Sequence, residues 1–322
     1  MRLGVIGYGS RIRSLFGNIS EKHPDCRIAA IADPRHEEIR TSLNGTAGPV
    51  DFYADPDDML DRADLDGVII GTRCNLHAEM AIKALRRDLP LYLEKPVATT
   101  YEDLDRLKEA YEASRSEVVV SFPLRNTPLV KLAKEIVASG KIGTVEHVQA
   151  VNNVPYGGVY YHSWYRDERI TGGLFLQKAT HDFDYINALL GMKPVEICAM
   201  KSKQVFKGSR PAGLKCADCE DNRVCGESAL KPENRERGEY CSFAADTGNE
   251  DSGSALLRYE SGMHAVDNFL QVVRGEARSE TTLADGLLSA LLCLKANESA
   301  ETNAFKQIEW ERCGNRMTMR PK

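Results

Sequence analysis

The sequence predicts an α/β protein of two domains: a doubly wound parallel sheet first, then an α/β domain of different build. Three observations carry this. Short apolar runs alternate with amphipathic stretches over the first 120 residues, a glycine-rich turn follows the first run at once, and the alternation breaks near Phe122. Parallel strands need long crossover connections, so strand–helix alternation implies a parallel sheet covered on both faces. Residues 3–6, 27–32, 64–70, 90–93 and 118–121 read as strands. Residues 10–21, 56–60, 76–87 and 101–113 read as the helices between them.

The expected domains are 1–122, which binds a dinucleotide, and 123–322, which binds substrate. In the second, 127–138 reads as a helix, 140–143 as a turn and the β-branched stretch 145–154 as a long strand. Residues 173–190 form a strong helical pattern, with Leu176, Ala179, Phe183, Ile186 and Leu190 spaced by threes and fours. Strands are expected at 195–200 and 255–259 and a last helix at 282–300. Residues 207–253, rich in charge, Gly and Cys, read as an irregular insert.

Length and composition agree with this. A chain of 322 residues suggests about two domains. With 42% apolar and 28% charged residues it can build ordinary packed cores. A net charge of −5 offers no basic field for nucleic acid or an anionic membrane, so the expected partner is a small molecule. The apolar start stops at Gly7, too short for a span or a secretory leader, and a cytoplasmic location is expected. Nine cysteines, an odd number and partly scattered, argue against a full disulfide framework.

The glycine turn carries the first chemistry. Gly7 permits a tight turn after the strand, and Gly9 lets a pyrophosphate approach the backbone. The helix then opens through Ser10, Arg11 and Ile12, whose N–H groups suit phosphates. Ile12 stands where a third glycine would serve close helix–strand packing. Asp33, at the end of the second strand, is placed to accept the ribose hydroxyls of NAD and to repel the 2′-phosphate of NADP. Arg35 beside it could offset that repulsion, which keeps NADP open. The fourth strand ends at Glu94, Lys95 and Pro96. A lysine at the carboxyl end of a parallel strand reaches the ligand crevice and can exchange a proton with a substrate hydroxyl.

Taken in order, these motifs resemble the glucose–fructose oxidoreductase/inositol dehydrogenase (Gfo/Idh/MocA) family. The match runs from the Gly7 loop and Asp33 through 71–77, Glu94–Lys95–Pro96 and 140–143 to 172–184. The resemblance implies an N-terminal Rossmann domain and a C-terminal α/β domain with an open, mostly antiparallel sheet. It implies hydride transfer at a secondary alcohol or ketone of a sugar, cyclitol or related polyol. It also implies that Thr72, Asn75 and His77 lie near the nicotinamide half of the cofactor; as an ordinary helix start, Asn75 would instead be an N-cap.

Gln177, His181 and Asp184 fall at i, i+4 and i+7, on one face of the expected helix 173–190. His181 can hydrogen-bond a reacting hydroxyl and carry its proton. The family usually has Asp or Glu where this chain has Gln177, which can hold a hydroxyl but cannot take its proton. Arg125, Tyr165, Arg166, Lys178 and Asp184 are further substrate candidates, Arg166 for a carboxylate and the aromatic for a sugar ring.

Cys216, Cys219, Cys225 and Cys241 open with a Cys-x2-Cys pair and suit a structural Zn site or an iron–sulfur cluster, with reduced thiols and disulfides as alternatives. By resemblance the C-terminal sheet is shortened between 262 and 267, which leaves the homo-oligomeric state open. The expected function is an NAD-dependent oxidoreductase in which Lys95 and His181 handle the proton and Gln177 positions the substrate. An NAD-binding protein without turnover and an NAD-assisted glycoside-cleaving enzyme are the alternatives.

Overall fold

A computed structural model describes residues 1–43, 48–154, 157–259, 282–313 and 316–320. The chain divides into two compact units. One comprises 1–123 with 266–290, the other 124–265 with 291–322.

The first unit holds six parallel strands: β1 (Arg2–Ile6), β2 (Arg27–Ala32), β3 (Asp51–Tyr53), β4 (Gly67–Ile70), β5 (Leu91–Leu93) and β6 (Val118–Val120). Their spatial order is β3-β2-β1-β4-β5-β6. Helices α1 (Ser10–Lys22), α2 (His36–Ser42), α3 (Pro56–Arg62), α4 (His77–Leu85) and α5 (Tyr101–Ala113) make the crossovers. Two starts are chemically marked. Asp55 accepts the amides of Asp57 and Asp58 ahead of α3, and Thr100 accepts that of Asp103 at α5. Val5, Ile12, Ile28, Ile31, Ile39 and Ile69 belong to one buried cluster around β1 and β2. The strand order turns outward in both directions from β1 and β4, and the loops after these two strands bound the ligand crevice of such sheets. β3 and α2, missed in the sequence, are three and seven residues long, too short for a periodic signal.

In the second unit, α6 (Pro128–Ala138) starts at the cap Thr127 with Pro128 in its first turn. Short turns α7 (Val159–His162) and α8 (Glu168–Thr171) follow, then a π turn over Phe175–Ala179 that runs into α9 (Thr180–Leu190). The helix expected over 173–190 is therefore not uniform. β7 (Pro194–Ser202) pairs antiparallel with β8 (Ser252–Tyr259). α10 (Leu283–Thr302) begins in the first unit and ends in the second. β9 (Lys306–Gln307) pairs with β7 to give the order β8-β7-β9, and β10 (Glu309–Cys313) pairs with β11 (Arg316–Arg320).

One expected strand is overturned. Residues 145–154 form no ladder and are mostly exposed. β-branched composition favours a strand only where a neighbour supplies hydrogen bonds and packing, and none of the described strands pairs with this segment. The expected shortening of the sheet falls at 262–267, outside the described residues. Among the described residues no helix is long and apolar enough to cross a membrane.

Candidate functional site

The nucleotide half of the site is built in the first unit. Gly7 has φ +83°, and a Cβ there would lie 2.8 Å from the Thr72 amide nitrogen. Glycine is thus required twice, by the left-handed backbone and by the close approach of the β4 loop. Gly9 differs: a Cβ there would meet nothing within 4 Å. The protein's own packing does not demand this glycine, and the open space above it suits a pyrophosphate lying on the backbone. Gly9 is also the N-cap of α1, whose start has no side-chain cap. Its amides are in place for an anion.

Ile12 is fully buried, and the structure shows how it replaces the third glycine. Gly71, at the end of β4, lies against it so closely that a Cβ there would overlap the Ile12 side chain. The space missing on the helix is supplied on the facing strand.

Asp33 is 5% exposed. Its carboxylate accepts the amides of Tyr8 and Arg35, both at 2.9 Å, and the Arg35 guanidinium at 3.3 Å. Burial opposes its ionisation, but these hydrogen bonds outweigh burial and hold the carboxyl below its usual range. Arg35 is thus paired to the very acid whose charge it could offset.

Glu94 is buried behind the same loop. It accepts from Arg11 Nε at 2.8 Å and from the Ser121 hydroxyl at 3.0 Å, and Tyr92 donates to Ser121 at 2.8 Å. Arg11 and Glu94 therefore tie the start of α1 to the end of β5. Ser121 and Tyr92 complete the network, and the sequence carries no local signal for either. Lys95, next in the chain, is half-buried. His77 is 2% exposed and faces two carbonyls, Pro96 at 2.7 Å and Thr72 at 3.2 Å. Burial pushes its pKa down, so the neutral ring prevails. A neutral imidazole carries one N–H, which the shorter contact to Pro96 takes. His77 braces the loops after β4 and β5 from behind. Thr72 is half-buried, and Asn75 is exposed on the turn Cys74–Leu76. Asn75 is not the cap of α4; that position is Leu76, without a side-chain bond.

The substrate candidates lie in the second unit, and most are already engaged. Gln177 is 1% exposed and donates from Nε2 to the Thr171 carbonyl at 3.1 Å. It sits inside the π turn, whose wider pitch breaks the 3.6-residue register that would align it with His181 and Asp184. His181 is half-buried in the first turn of α9. Asp184 is buried and forms a two-pronged pair with Arg125, Nε to Oδ2 at 2.8 Å and Nη2 to Oδ1 at 2.7 Å. Arg166 is 5% exposed, bonded to Asp246 and to the Thr247 hydroxyl, and lies over the Tyr240 ring at 4.8 Å. Tyr165 stacks on Trp164 at 3.8 Å. Lys178 lies 5.4 Å above the Tyr160 ring.

A cavity of about 1470 Å³ opens in this unit, walled by 144–154, α9 and β8. Of the expected site residues, only Lys178 lines it. Asp182 is there too, its two oxygens each 3.2 Å from the Asn152 amide, and burial raises its carboxyl above the usual range. Glu250 is another residue that sequence reasoning missed. It is 5% exposed and accepts the amides of Leu174 and Phe175 at 2.9 and 3.1 Å, anchoring the start of the site helix. Burial raises its pKa. It lies 76 residues from Leu174 in sequence, so no local pattern could have revealed it.

The described cysteines are free thiols, Cys216, Cys219, Cys225 and Cys241 among them. Among the described residues no three His, Cys, Asp or Glu side chains gather tightly enough to hold a metal ion.

Comparison with known proteins places this geometry. Residues 1–122 match the model of the GFO/IDH/MocA oxidoreductase family with its NAD-binding Rossmann fold, and 130–284 match the family's C-terminal domain. The chain is 30% identical over 278 residues to an uncharacterized oxidoreductase of Bacillus subtilis, covering 84% of this chain and 68% of that one. It is 28% identical over 215 residues to the myo-inositol 2-dehydrogenase of Thermotoga maritima, covering 66% and 62%. The matched part spans 55–63% of the length of the leading curated relatives. In fold it is similar to scyllo-inositol dehydrogenase from Lactobacillus casei, solved with NAD(H) and scyllo-inositol: TM-score 0.71 at 18% identity, over 95% of this chain and 98% of that one. With its six-stranded parallel sheet, its Gly7–Gly9 loop and its buried Asp33, the chain belongs to the GFO/IDH/MocA family of NAD-binding Rossmann-fold oxidoreductases.

Proposed function

We propose that this protein is an NAD-dependent oxidoreductase acting on a secondary alcohol or ketone of a sugar, cyclitol or related polyol. The observation that carries this is Asp33, held ionised beside the phosphate loop by the amides of Tyr8 and Arg35. Relatives named inositol dehydrogenases support the substrate class. The nicotinamide, when bound, supplies the two-electron acceptor. The chain's own residues do the rest. The α1 start and Gly9 receive the pyrophosphate, Asp33 accepts the ribose hydroxyls, and Thr72 and Asn75 border the nicotinamide half. His77 acts at one remove by fixing the loops after β4 and β5. Lys95 carries the substrate hydroxyl proton, His181 assists it, and Lys178 and Tyr165 contact the sugar.

A second reading is favoured by Gln177. Its side chain is 1% exposed and its Nε2 donates to the Thr171 carbonyl, which leaves little of it on offer to a substrate. On that reading the protein binds NAD without turnover. Following NADH absorbance across a panel of inositols, aldoses and keto-sugars separates the two. Turnover on any of them supports the enzyme, and its loss by about 10²–10⁴ in Lys95→Met, with NAD affinity retained, assigns the proton. NAD binding with no turnover on any member supports the second reading. NAD should also bind more tightly than NADP, because the 2′-phosphate meets the Asp33 carboxylate; equal affinities measured by fluorescence titration would mean that Arg35 governs instead.

A further inference from the structure

Residues 203–251 lack what a module of this size needs to hold its shape. Their fully buried apolar residues are Cys216, Ala229, Cys241 and Ala244, with no leucine, isoleucine, valine or phenylalanine among them. Their regular structure is two 3-10 turns, Cys216–Asp218 and Pro232–Arg237, and two isolated bridges. Segments this poor in apolar core are ordinarily held by disulfides or a metal, and these cysteines are not paired to one another.

The four thiols nevertheless converge. The antiparallel bridge Lys215–Tyr240 puts Cys216 opposite Glu239 and Cys241 opposite Leu214, through Cys216 N donating to Glu239 and Cys241 N to Leu214, so the two cysteines flank the bridge diagonally. Cys219 returns to Cys216 through a 3-10 bond. Cys241 lies within electrostatic reach of all three others, and Cys216 of both Cys219 and Cys225. Backbone N–H groups already point at two sulfurs, Ala229 at Cys216 and Phe243 at Cys241. Such donors stabilise thiolate ligands. Arg210 supplies a cation beside Cys219 and Cys241.

We propose that Cys216, Cys219, Cys225 and Cys241 form a tetrathiolate zinc site that staples this module. In the structure the sulfurs are neighbours without reaching ligating distance. Neutral thiols have no attraction that would draw them closer, whereas an ion with bonds of ~2.3 Å does. Binding forms four Zn–S bonds and releases four protons to water, with no change of oxidation state. Cys216, which now donates to the Tyr240 carbonyl at 3.6 Å, gives up that contact. Four thiolates leave no open position, so the ion is structural.

The site is a strut for the substrate unit. Tyr240, next to Cys241, donates its backbone N–H to the His162 carbonyl and accepts from His162 Nδ1 at 2.6 Å. Asn249 donates to the carbonyls of Tyr160 and Tyr165 at 2.8 Å, and Glu250 holds Leu174 and Phe175. Whatever fixes the module fixes the chain leading into α9.

The full-length protein, purified without added metal, should contain about one zinc per chain by elemental analysis. In native protein the thiols of Cys216, Cys219, Cys225 and Cys241 should resist alkylation, mapped by mass spectrometry, until a chelator is added. Cys216→Ser and Cys241→Ser should lose the zinc, while Cys26→Ser, far along the chain, should keep it. If the serine variants do not fold, stripping the intact protein with a strong chelator should lower its Tm, and zinc alone should restore it. Folded protein that is zinc-free and takes up none on titration would overturn the proposal. So would a disulfide among the four cysteines found by mass spectrometry, or iron in place of zinc. An unchanged Tm after stripping would overturn the strut. None of these readings depends on turnover.

Discussion

The two units use polar residues in opposite ways. In the nucleotide unit, Gly9, the α1 start and Asp33 are held by partners that leave a ligand side open: no side chain caps α1, and nothing lies within 4 Å of where a Gly9 Cβ would be. In the second unit, Gln177, Asp184 and Arg166 are buried and Arg125 is half-buried, each bonded to a side chain or to the backbone. The first unit presents its chemistry, and the second spends much of its own on holding an irregular fold together. A polar row on a helix is therefore no guide to a site unless its partners are known.

The sharpest test of this contrast is the Arg125–Asp184 pair. Replacing Arg125 by Ala removes the two-pronged partner of a buried carboxylate and should cost about 3–5 kcal/mol in urea unfolding. Asp184→Asn with Arg125→Met should recover much of that loss, since a neutral pair needs no compensation. A loss under 1 kcal/mol for Arg125→Ala would place the pair at a wet surface and return both residues to the substrate candidates.

The glycines test the other side. Gly7→Ala forces a left-handed alanine against the Thr72 backbone and should destabilise by roughly 1–3 kcal/mol. Gly9→Ala meets no protein atom and should leave stability within about 0.5 kcal/mol while weakening NAD at least tenfold by calorimetry. If Gly9→Ala binds NAD normally, the open space above the loop is not the pyrophosphate seat.

Gln177→Glu restores the acid usual in the family but places it inside the π turn, where an ionised carboxylate cannot donate to Thr171. An unsatisfied buried group of this kind costs about 1–3 kcal/mol. Lower thermal stability without higher turnover is the expected result. A gain in turnover would show that the side chain swings out to meet substrate.

The smallest effect concerns pH. Burial lowers the folded pKa of His77 below the unfolded value of about 6.5. The unfolded chain then binds more protons than the folded one as pH falls through this window. Stability should therefore decline on acidification from about 6.5 toward the folded pKa, and His77→Gln should remove this part of the slope. An identical pH profile in the variant would show that His77 does not titrate on unfolding.

The first unit was legible because its signals are local. The apolar runs at β1, β2, β4, β5 and β6, and the Gly7 loop, each lie within a few neighbouring residues. What escaped was short, as β3 and α2 were, or distant, as Ser121 was behind Glu94. The second unit read less well. Residues 145–154 had strand composition without a strand, and the row Gln177, His181, Asp184 assumed an unbroken α-helix where a π turn intervenes.

By itself the sequence determined the alternating architecture, the glycine turn after β1 and the acid after β2, since period, turn chemistry and motif spacing depend only on nearby residues. Tertiary structure decided which polar groups remain available. Ile12 was tolerable only because Gly71 faces it, and Gln177 was withdrawn because Thr171 accepts its amide. Glu250 gained a role only when folding brought it to the amides of Leu174 and Phe175, 76 and 75 residues away. Availability depends on long-range partners, and burial makes an unpaired polar group too costly to leave alone, so the fold assigns each buried donor and acceptor before any ligand arrives.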